Sequence, residues 1–284
     1  MIKRILIALD PDEDTPIATQ YAISLAERND ASVTGLAVVD TSNIYPTGII
    51  GDPDQTHHAR NLWEELTDNS RNVAGRLLEK FESSVEKSGV RYTAITQEGA
   101  SYDRIIEGMK YHDLLVVGRD SHFFYNEPKQ ETKTLAQVVK NGVSPTLIVT
   151  HHFEEVHKVL IAFDGSRPAS RSLKSFAHLS PFGKDLEIEL LHISKTDNDD
   201  SESSSETILD FANDYLLEHD FKNVTQKFMA GDKISEAILK RRKEIGADLI
   251  VLGAHAVSAI KRLTFGSTTH ELITKTDSPL FMTP

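Results

Sequence analysis

The residues best placed to do chemistry lie in one short stretch near the end of the chain, from Gly253 to Ile273. Its second part reads Gly266-Ser267-Thr268-Thr269 and opens an apolar-periodic helix pattern. Free backbone amides and the positive end of the helix dipole point out of such a start, and hydroxyl side chains add donors. The stretch therefore predicts a site for an anion such as a phosphate.

A Gly-Ser-Thr sequence by itself is more often a simple helix cap, and Thr268 and Glu271 have the spacing of a capping box. The distance back to Gly253 favours the anion site, because Gly253 ends an apolar run that is typical of a buried strand. Asp164 ends a second run of this kind. Ligands of open parallel sheets bind at such strand ends, which places these residues together.

No catalytic arrangement accompanies these residues. The chain has no Walker loop, no serine elbow and no coherent acid–base pair, and Asp164 is the one carboxylate near the expected phosphates. Phosphoryl transfer would need carboxylates that hold a metal and a positioned nucleophile. We therefore expect binding without dedicated catalysis, with a slow ATPase as the remaining enzymatic option. The histidines of the loops have no ordered metal-ligand spacing and are expected to be solvated: His57, His58, His151, His152 and His157.

The elements that must position this site occur twice along the chain. Residues 2–10 read IKRILIALD and residues 156–164 read VHKVLIAFD, and a helix pattern with a proline near its start follows each. Continuous apolar runs of this kind are typical of strands buried on both faces. Later segments match in the same order: 32–40 with 186–194, 98–118 with 230–253, and 143–149 with 277–283.

Each half thus alternates strands and helices, which predicts a parallel sheet covered on both faces by right-handed crossovers. We predict an α/β fold of two tandem, doubly wound, five-stranded parallel-sheet domains at residues 1–150 and 158–284, joined by a linker at 151–157. Between its second and third strands the first half carries a polar insert, Ser42–His58, and the second half a Ser/Asp/Glu stretch, Asp197–Glu206. The latter is expected to be a solvated loop.

Composition excludes several classes of function. The formal net charge is −12 and no long basic run offsets it, so nucleic acid and anionic membranes are poor partners. The absence of cysteine excludes disulfides, thiol catalysis and cysteine-ligated metal. No window approaches the roughly 20 apolar residues of a membrane span, and the apolar run at the N-terminus is too short for a signal peptide. We expect a cytoplasmic protein.

The glycine spacing carries a specific resemblance. Gly253-Ala-His-Ala256, nine residues, then Gly266-Ser267 resembles the Gly-x-x-Gly, nine residues, Gly-Ser/Thr loop of the universal stress protein family. The strand ending IAFDGS and Pro279 before the last strand are also similar to the family. The resemblance spans the chain as two copies, like the tandem members, and implies the adenine nucleotide alpha hydrolase-like fold for each domain.

The resemblance also implies a ligand, ATP or another adenine nucleotide, in the second half, with Mg²⁺ as an optional companion of ATP. Asp164, with the backbone at Ala162, would face the adenine and the ribose, and the backbone at Ile193 would contact the adenine. Arg262 either leans toward the phosphates or stays in solvent. The remaining residues would line the ribose and the phosphates: Gly253, His255, Ala256, Gly266, Ser267, Thr268 and Thr269.

Departures from the family's loop occur in both halves. Ala256 replaces the second glycine. If that position needs a positive φ, the alanine backbone is strained by on the order of 1 kcal/mol or more. If glycine serves only to let phosphate approach, the added methyl group costs little. The first half keeps Gly118 but has Ser121 at the second glycine and Thr132-Lys133 in place of Gly-Ser. Its loop, HFFYNEPKQE, is expected to cover the vacated cleft or to serve an interface.

We therefore expect a stress-response regulator that binds adenine nucleotide in its second half. The rival hypothesis is a module with occluded clefts that binds another small ligand or a protein. As in the family, the last strands of the two halves, Thr146–Val149 and Leu280–Met282, are expected to pair and so to cover two apolar edges. This pairing gives an intramolecular pseudo-dimer; a homodimer of whole chains is compatible with it, although no residue indicates one.

Overall fold

The computed structural model describes residues 1–42, 53–123, 125, 134–194, 199–254 and 267–284. The strands of the first half are β1 Arg4–Leu9, β2 Ser32–Val39, β3 Tyr92–Glu98, β4 Leu114–Gly118 and β5 Thr146–Val149, and its helices are α1 Thr15–Asn29, α2 Pro53–Glu86, α3 Ser101–Met109 and α4 Thr134–Asn141. The strands of the second half are β6 Lys158–Ala162, β7 Glu187–Ser194, β8 Asn223–Ala230, β9 Leu249–Gly253 and β10 Leu280–Thr283, and its helices are α5 Arg167–Leu179, α6 Asp199–Glu218, α7 Ile234–Ile245 and α8 Ser267–Lys275.

All ten strands form one sheet in the order β3-β2-β1-β4-β5-β10-β9-β6-β7-β8. Neighbouring strands are parallel within each half, and the two halves meet where β5 pairs with β10 in the antiparallel sense. Leu147 lies opposite Phe281 at this junction, and both side chains are 0% exposed. The predicted fold class and the predicted pairing of the last strands are confirmed.

The apolar strands are buried on both faces because helices cover each side of the sheet. Alternate side chains of a strand point to opposite faces. In β1, Ile5 and Ile7 accordingly belong to the core beneath α1 and α2, whereas Leu6 and Ala8 belong to the core beneath α3 and α4. A strand that serves two cores reads as a continuous apolar run, and this explains the run that opens each repeat.

The segments between the second and third strands of each half are more helical than expected. The Ser/Asp/Glu stretch predicted as a solvated loop is helical from Asp199, where α6 begins, so that prediction is wrong for most of its length. Acidic residues in the first turn interact favourably with the helix dipole, which offsets the weak helix propensity of serine. In the first half, α2 begins at Pro53, inside the polar insert, and proline suits a first turn.

Polar contacts across the junction add to the strand pairing. Arg119, which follows β4, donates a hydrogen bond of 2.7 Å from Nη1 to the carbonyl oxygen of Thr276 in the second half. Thr150 Oγ1 donates to the carbonyl oxygen of Asp277 at 3.0 Å. The segment that connects the halves lies against α1, because the ring of Phe153 packs 4.7 Å from that of Tyr21. No helix in the described part of the chain is long and apolar enough to cross a membrane.

The shared sheet predicts that the two halves unfold together. Trp63 on α2 is the single tryptophan and reports on the first half. Phe281→Ala in the second half should lower the free energy of unfolding by about 3–5 kcal/mol, because it leaves a cavity at the junction. In urea titrations the transition followed by Trp63 fluorescence should therefore move to lower urea.

Phe211→Ala is the matched control, since Phe211 lies on α6 in the same half and is 73% exposed. It should change stability by about 0.5 kcal/mol or less. An unchanged Trp63 transition in Phe281→Ala, together with an early loss of helical circular dichroism, would mean that the halves unfold independently.

Candidate functional site

A cavity of about 150 Å³ opens at the carboxyl ends of β6, β7 and β9 in the second half. Its inner wall is apolar, and its mouth carries a carboxylate and hydroxyls. The apolar lining consists of Ala162, Phe163, Ala169, Leu191, Ile193, Ile234, Ile238 and Leu252. The rest of the lining is Gly253 and the polar residues Asp164, Ser166, Thr268 and Thr269.

Gly253 is required here by the packing of α5. A Cβ atom at this position would lie 2.5 Å from the backbone nitrogen of Ala169 and 2.5 Å from the carbonyl carbon of Pro168. Atoms at that distance overlap, and backbone cannot move aside cheaply, so a larger residue would displace the start of α5. The glycine that ends β9 therefore lets a helix start approach the strand end closely.

The turn between β6 and α5 fixes the polar mouth. Asp164 is exposed, and its Oδ1 accepts a hydrogen bond from the backbone N–H of Ser166 at 3.0 Å. Gly165 between them adopts φ +73°, which favours glycine. Ser166 then caps α5, because its Oγ accepts from the N–H of Ala169 at 3.3 Å. The Asp-Gly-Ser sequence thus holds one carboxylate at the mouth of the cavity.

The start of α8 closes the other side of the mouth. The helix begins at Ser267, so Thr268 and Thr269 lie in its first turn, and Thr269 is 2% exposed. Glu271, predicted to form a capping box with Thr268, instead accepts a hydrogen bond from Ser235 Oγ of α7. The helix start therefore presents hydroxyls to the cavity, while Glu271 ties α8 to α7.

In the first half the corresponding cleft is filled by the chain itself. Asp10, the counterpart of Asp164, accepts hydrogen bonds from the backbone N–H groups of His122 at 2.6 Å and Phe123 at 2.9 Å. Phe123 is 2% exposed and belongs to the same buried cluster as Ala8 and Val38. By the register of the strands, these two residues correspond to Ala162 and Ile193 of the second cavity. The buried ring of Phe123 thus lies on the face of the sheet that carries the cavity in the second half.

Further contacts hold this loop in place. Ser101 Oγ donates a hydrogen bond to the carbonyl oxygen of Phe123 at 2.9 Å. Tyr125 reaches between β1 and β2, where its hydroxyl donates to the carbonyl oxygen of Leu9 at 3.0 Å and accepts from the N–H of Val38 at 3.2 Å. The hypothesis that the aromatic loop covers the vacated cleft is confirmed for the described residues. Residues 126–133 lie outside them.

Burial changes the acidity of the first-half carboxyl groups. The pKa of Asp10 is raised from 3.8 to about 7, because burial and the nearby charge of Asp12 together outweigh the two backbone hydrogen bonds. Burial also raises the pKa of Asp12, against hydrogen bonds from Ser121 Oγ at 2.7 Å and the N–H of Thr15 at 2.7 Å. The two repeats therefore keep the same aspartate in contrasting surroundings, buried in one and exposed in the other.

A second group of ionisable side chains lies at the junction of the halves. Asp14, Asp120 and His151 each offer a ligand atom within 4.8 Å of the others, although the spacing of the histidines gave no sign of it. Arg119 contacts Nε2 of His151, and Nδ1 of His151 lies 2.9 Å from Asp14 Oδ1. Arginine can only donate, so Nε2 of His151 is the acceptor in its contact with Arg119.

Comparison with known proteins identifies the family. The sequence pattern of the Universal stress protein family matches residues 1–149 and, a second time, residues 155–284. The chain belongs to the universal stress protein family. It is 23% identical to a curated universal stress protein of Synechocystis sp., with 98% of this chain and 99% of the relative covered.

Solved structures show the same fold along the whole chain. A universal stress protein from Archaeoglobus fulgidus has a TM-score of 0.72 at 19% identity, with 99% of this chain and 95% of that chain covered. A protein of unknown function from Pseudomonas aeruginosa has a TM-score of 0.59 at 15% identity, with 99% and 92% covered. Two copies of the family's fold thus account for nearly the full length.

Six residues that the family resemblance suggested line the cavity of the second half: Ala162, Asp164, Ile193, Gly253, Thr268 and Thr269. His255, Ala256, Arg262, Gly266 and the side chain of Ser267 lie outside the described residues. Sequence reasoning missed most of the apolar lining. Residues two apart in a strand share a face, so Leu191 could have been predicted to line the site beside Ile193. Residues four apart in a helix also share a face, so Ile234 and Ile238 could have been predicted as a pair.

The raised pKa of Asp10 predicts a pH-dependent stability. The folded-state pKa lies above the unfolded value, so the extra stability is fully present below about pH 4 and is lost as the pH rises through about 7. Asp10→Asn removes this dependence. The free energy of unfolding of the variant should therefore rise by a few kcal/mol relative to that of the parent as the pH increases from about 4 to about 8.

Urea unfolding across that pH range measures the difference between the two proteins. Asp214→Asn, which removes an exposed aspartate from α6, controls for the change in net charge. Parallel pH profiles for Asp10→Asn and the parent would contradict the raised pKa.

Proposed function

We propose that this chain is a stress-response regulator that binds one adenine nucleotide, ATP or a relative, in the cavity of its second half. The observation that carries the proposal is the pairing of two chemistries at one sheet edge. An apolar slot suits a flat base, and a hydroxyl-bearing helix start beside it suits phosphate oxygens.

The lining residues divide among the parts of such a ligand. The base would pack between Ile193 of β7 and Ile238 of α7, with the ribose near the carboxylate of Asp164. The phosphates would lie toward α8, where Thr268 and Thr269 supply hydroxyls at the positive end of the helix dipole. Gly266, His255, Ala256 and Arg262 keep the family's places in the sequence around this position.

Binding without dedicated catalysis fits the ionisable groups. Among the described residues that line the cavity, Asp164 is the only ionisable side chain. Mg²⁺ bound with ATP would screen the phosphate charge, but hydrolysis also needs a positioned water and further metal-holding carboxylates. We therefore propose a cytoplasmic nucleotide-binding regulator, built as an intramolecular pseudo-dimer, rather than an ATPase.

The proposal assigns nucleotide binding to the second half and not to the first. In the first half, Phe123 and the amide groups bound to Asp10 use the space and the acceptors that a nucleotide would need. Both backbone hydrogen bonds would have to break, and a buried phenyl ring would have to enter water, before a base could take that place. One nucleotide per chain is the expected capacity.

Asp164→Asn should weaken ATP binding about tenfold, because an amide cannot accept both ribose hydroxyls as a carboxylate does; tenfold corresponds to about 1.4 kcal/mol. Isothermal titration calorimetry of ATP, with and without Mg²⁺, measures the change. Asp214→Asn makes the same charge change on α6 of the same half and should leave the affinity unaltered. Equal affinities for ATP in the two variants would show that Asp164 does not contact the nucleotide.

The helix start is tested by a branched side chain at its glycine. Gly266→Val should abolish ATP binding, because a Cβ with two methyl groups blocks the approach of phosphate to the backbone amides. Thr132→Val, at the corresponding position of the first half, should leave binding unchanged. Retained binding in Gly266→Val, or no binding by the parent chain at all, would favour a different small ligand or a protein partner.

A further inference from the structure

The first half contains a cavity of about 260 Å³ that borders the filled cleft at Asp10 and Tyr125 and opens toward α1 and α2. One wall is formed by the turn from β1 into α1, with Pro11, Pro16 and Thr19. The opposite wall is α2, and the ring of Tyr125 closes one side. Because the hydroxyl of Tyr125 is fixed between Leu9 and Val38 backbone groups, its ring is a rigid part of the wall.

Helix α2 presents two parallel rows to this cavity. Residues four apart lie on the same face of a helix. Val73, Leu77 and Phe81 form an apolar row, and Arg76, Lys80 and Ser84 form a polar row beside it. The cavity is therefore apolar and partly aromatic along one side of α2 and cationic along the other.

Arg76 and Lys80 line the cavity together with the carboxyl groups of Asp10 and Asp12. Both cations are exposed, and neither side chain forms a hydrogen bond or an ion pair within the described part of the chain. In a protein of formal net charge −12, two neighbouring cations one helical turn apart form a local positive patch. Such a patch at the rim of an apolar cavity attracts an anionic group.

In the described part of the second half, the corresponding turn is packed differently. Its counterpart of Pro11 is Gly165, and the side chain of Ile208 from α6 comes within 3.4 Å of the point where a Cβ of Gly165 would lie. In that half α6 therefore packs directly onto the turn after β6. Among the described residues, this contact distinguishes the turn after β6 from the turn after β1.

We propose that this cavity binds a small aromatic carboxylate, with the carboxylate at Arg76 and Lys80 and the ring between Phe81 and Tyr125. A guanidinium and an ammonium group supply charge-assisted hydrogen bonds to a carboxylate. Aromatic rings at 4.5–7 Å add attraction beyond the buried area. Asp12 on the opposite wall already accepts hydrogen bonds from Ser121 and Thr15, and its charge directs the ligand's carboxylate toward the rim.

The size of the cavity limits the ligand. Pockets for drug-sized molecules occupy about 300–1,000 Å³, and this cavity lies just below that range. One ring with a short acidic chain fits the space. The lining of this cavity belongs to the first half alone, so the proposal is independent of nucleotide binding by the second half.

The test uses 3-phenylpropionate as the probe and 3-phenylpropanamide as its uncharged counterpart, with the full-length chain. Saturation-transfer NMR and calorimetry should detect saturable binding of the acid, and the amide should bind at least tenfold more weakly. Arg76→Ala/Lys80→Ala should lower the affinity for the acid at least tenfold. Because both residues are exposed, this variant should fold like the parent.

Lys87→Ala/Lys227→Ala removes two other exposed lysines and serves as the matched control, with unchanged affinity expected. Ser84→Trp should block the rim and abolish binding. Affinity for ATP, measured in parallel, should be the same in all three variants, so failure here leaves the nucleotide proposal standing. Absence of saturable binding of the acid in the millimolar range would overturn this proposal, as would equal affinity for acid and amide.

Discussion

The antiparallel pairing of β5 with β10 is the interaction on which the rest of the molecule depends. Each half ends in a four-residue apolar strand that would otherwise expose a row of unpaired backbone groups. Pairing Leu147 with Phe281 satisfies both edges and makes ten strands one sheet. Because the junction is antiparallel, the two halves are related by an approximate twofold rotation. Their strand ends, and so their clefts, are fixed by the same contact.

Within that frame the two repeats have diverged at one position of the sheet edge. Asp10 and Asp164 end equivalent strands, but the first is buried under the amide groups of its own loop and the second is exposed at a cavity mouth. In the described residues the difference lies in the loop that follows β4. The first half buries Phe123 on this face of the sheet, whereas Ile193 and Ile238 of the second half line a cavity there.

Much of the fold could be predicted from the sequence, because its signals are local and repeated. Apolar runs such as residues 2–10 marked the buried strands, and the prolines after them marked helix starts. The α6 start at Asp199 could not be predicted in this way, since serine and aspartate are typical of loops as well as of first turns. Helix formation there is decided by packing further along α6, at residues such as Leu209.

The site could be predicted only in part, for a similar reason. Glycines and hydroxyls that serve a helix start have a recognisable spacing, so Gly253, Thr268 and Thr269 could be named in advance. Apolar lining residues such as Ile234 look like any core residue until the topology brings α7 to β7. The contact of His151 with Asp14 is set by the return of β5 beside β4, and sequence spacing carries no trace of it.

The central claim is that a duplicated fold keeps one open cleft and fills the other with its own chain. Native mass spectrometry of the full-length protein titrated with ATP tests this most directly, because it counts bound molecules. We expect one nucleotide to bind per chain with saturation, and no second adduct to form with comparable affinity. Two nucleotides per chain of similar affinity would show that the first cleft is open, and none at saturating ATP would contradict the proposed site.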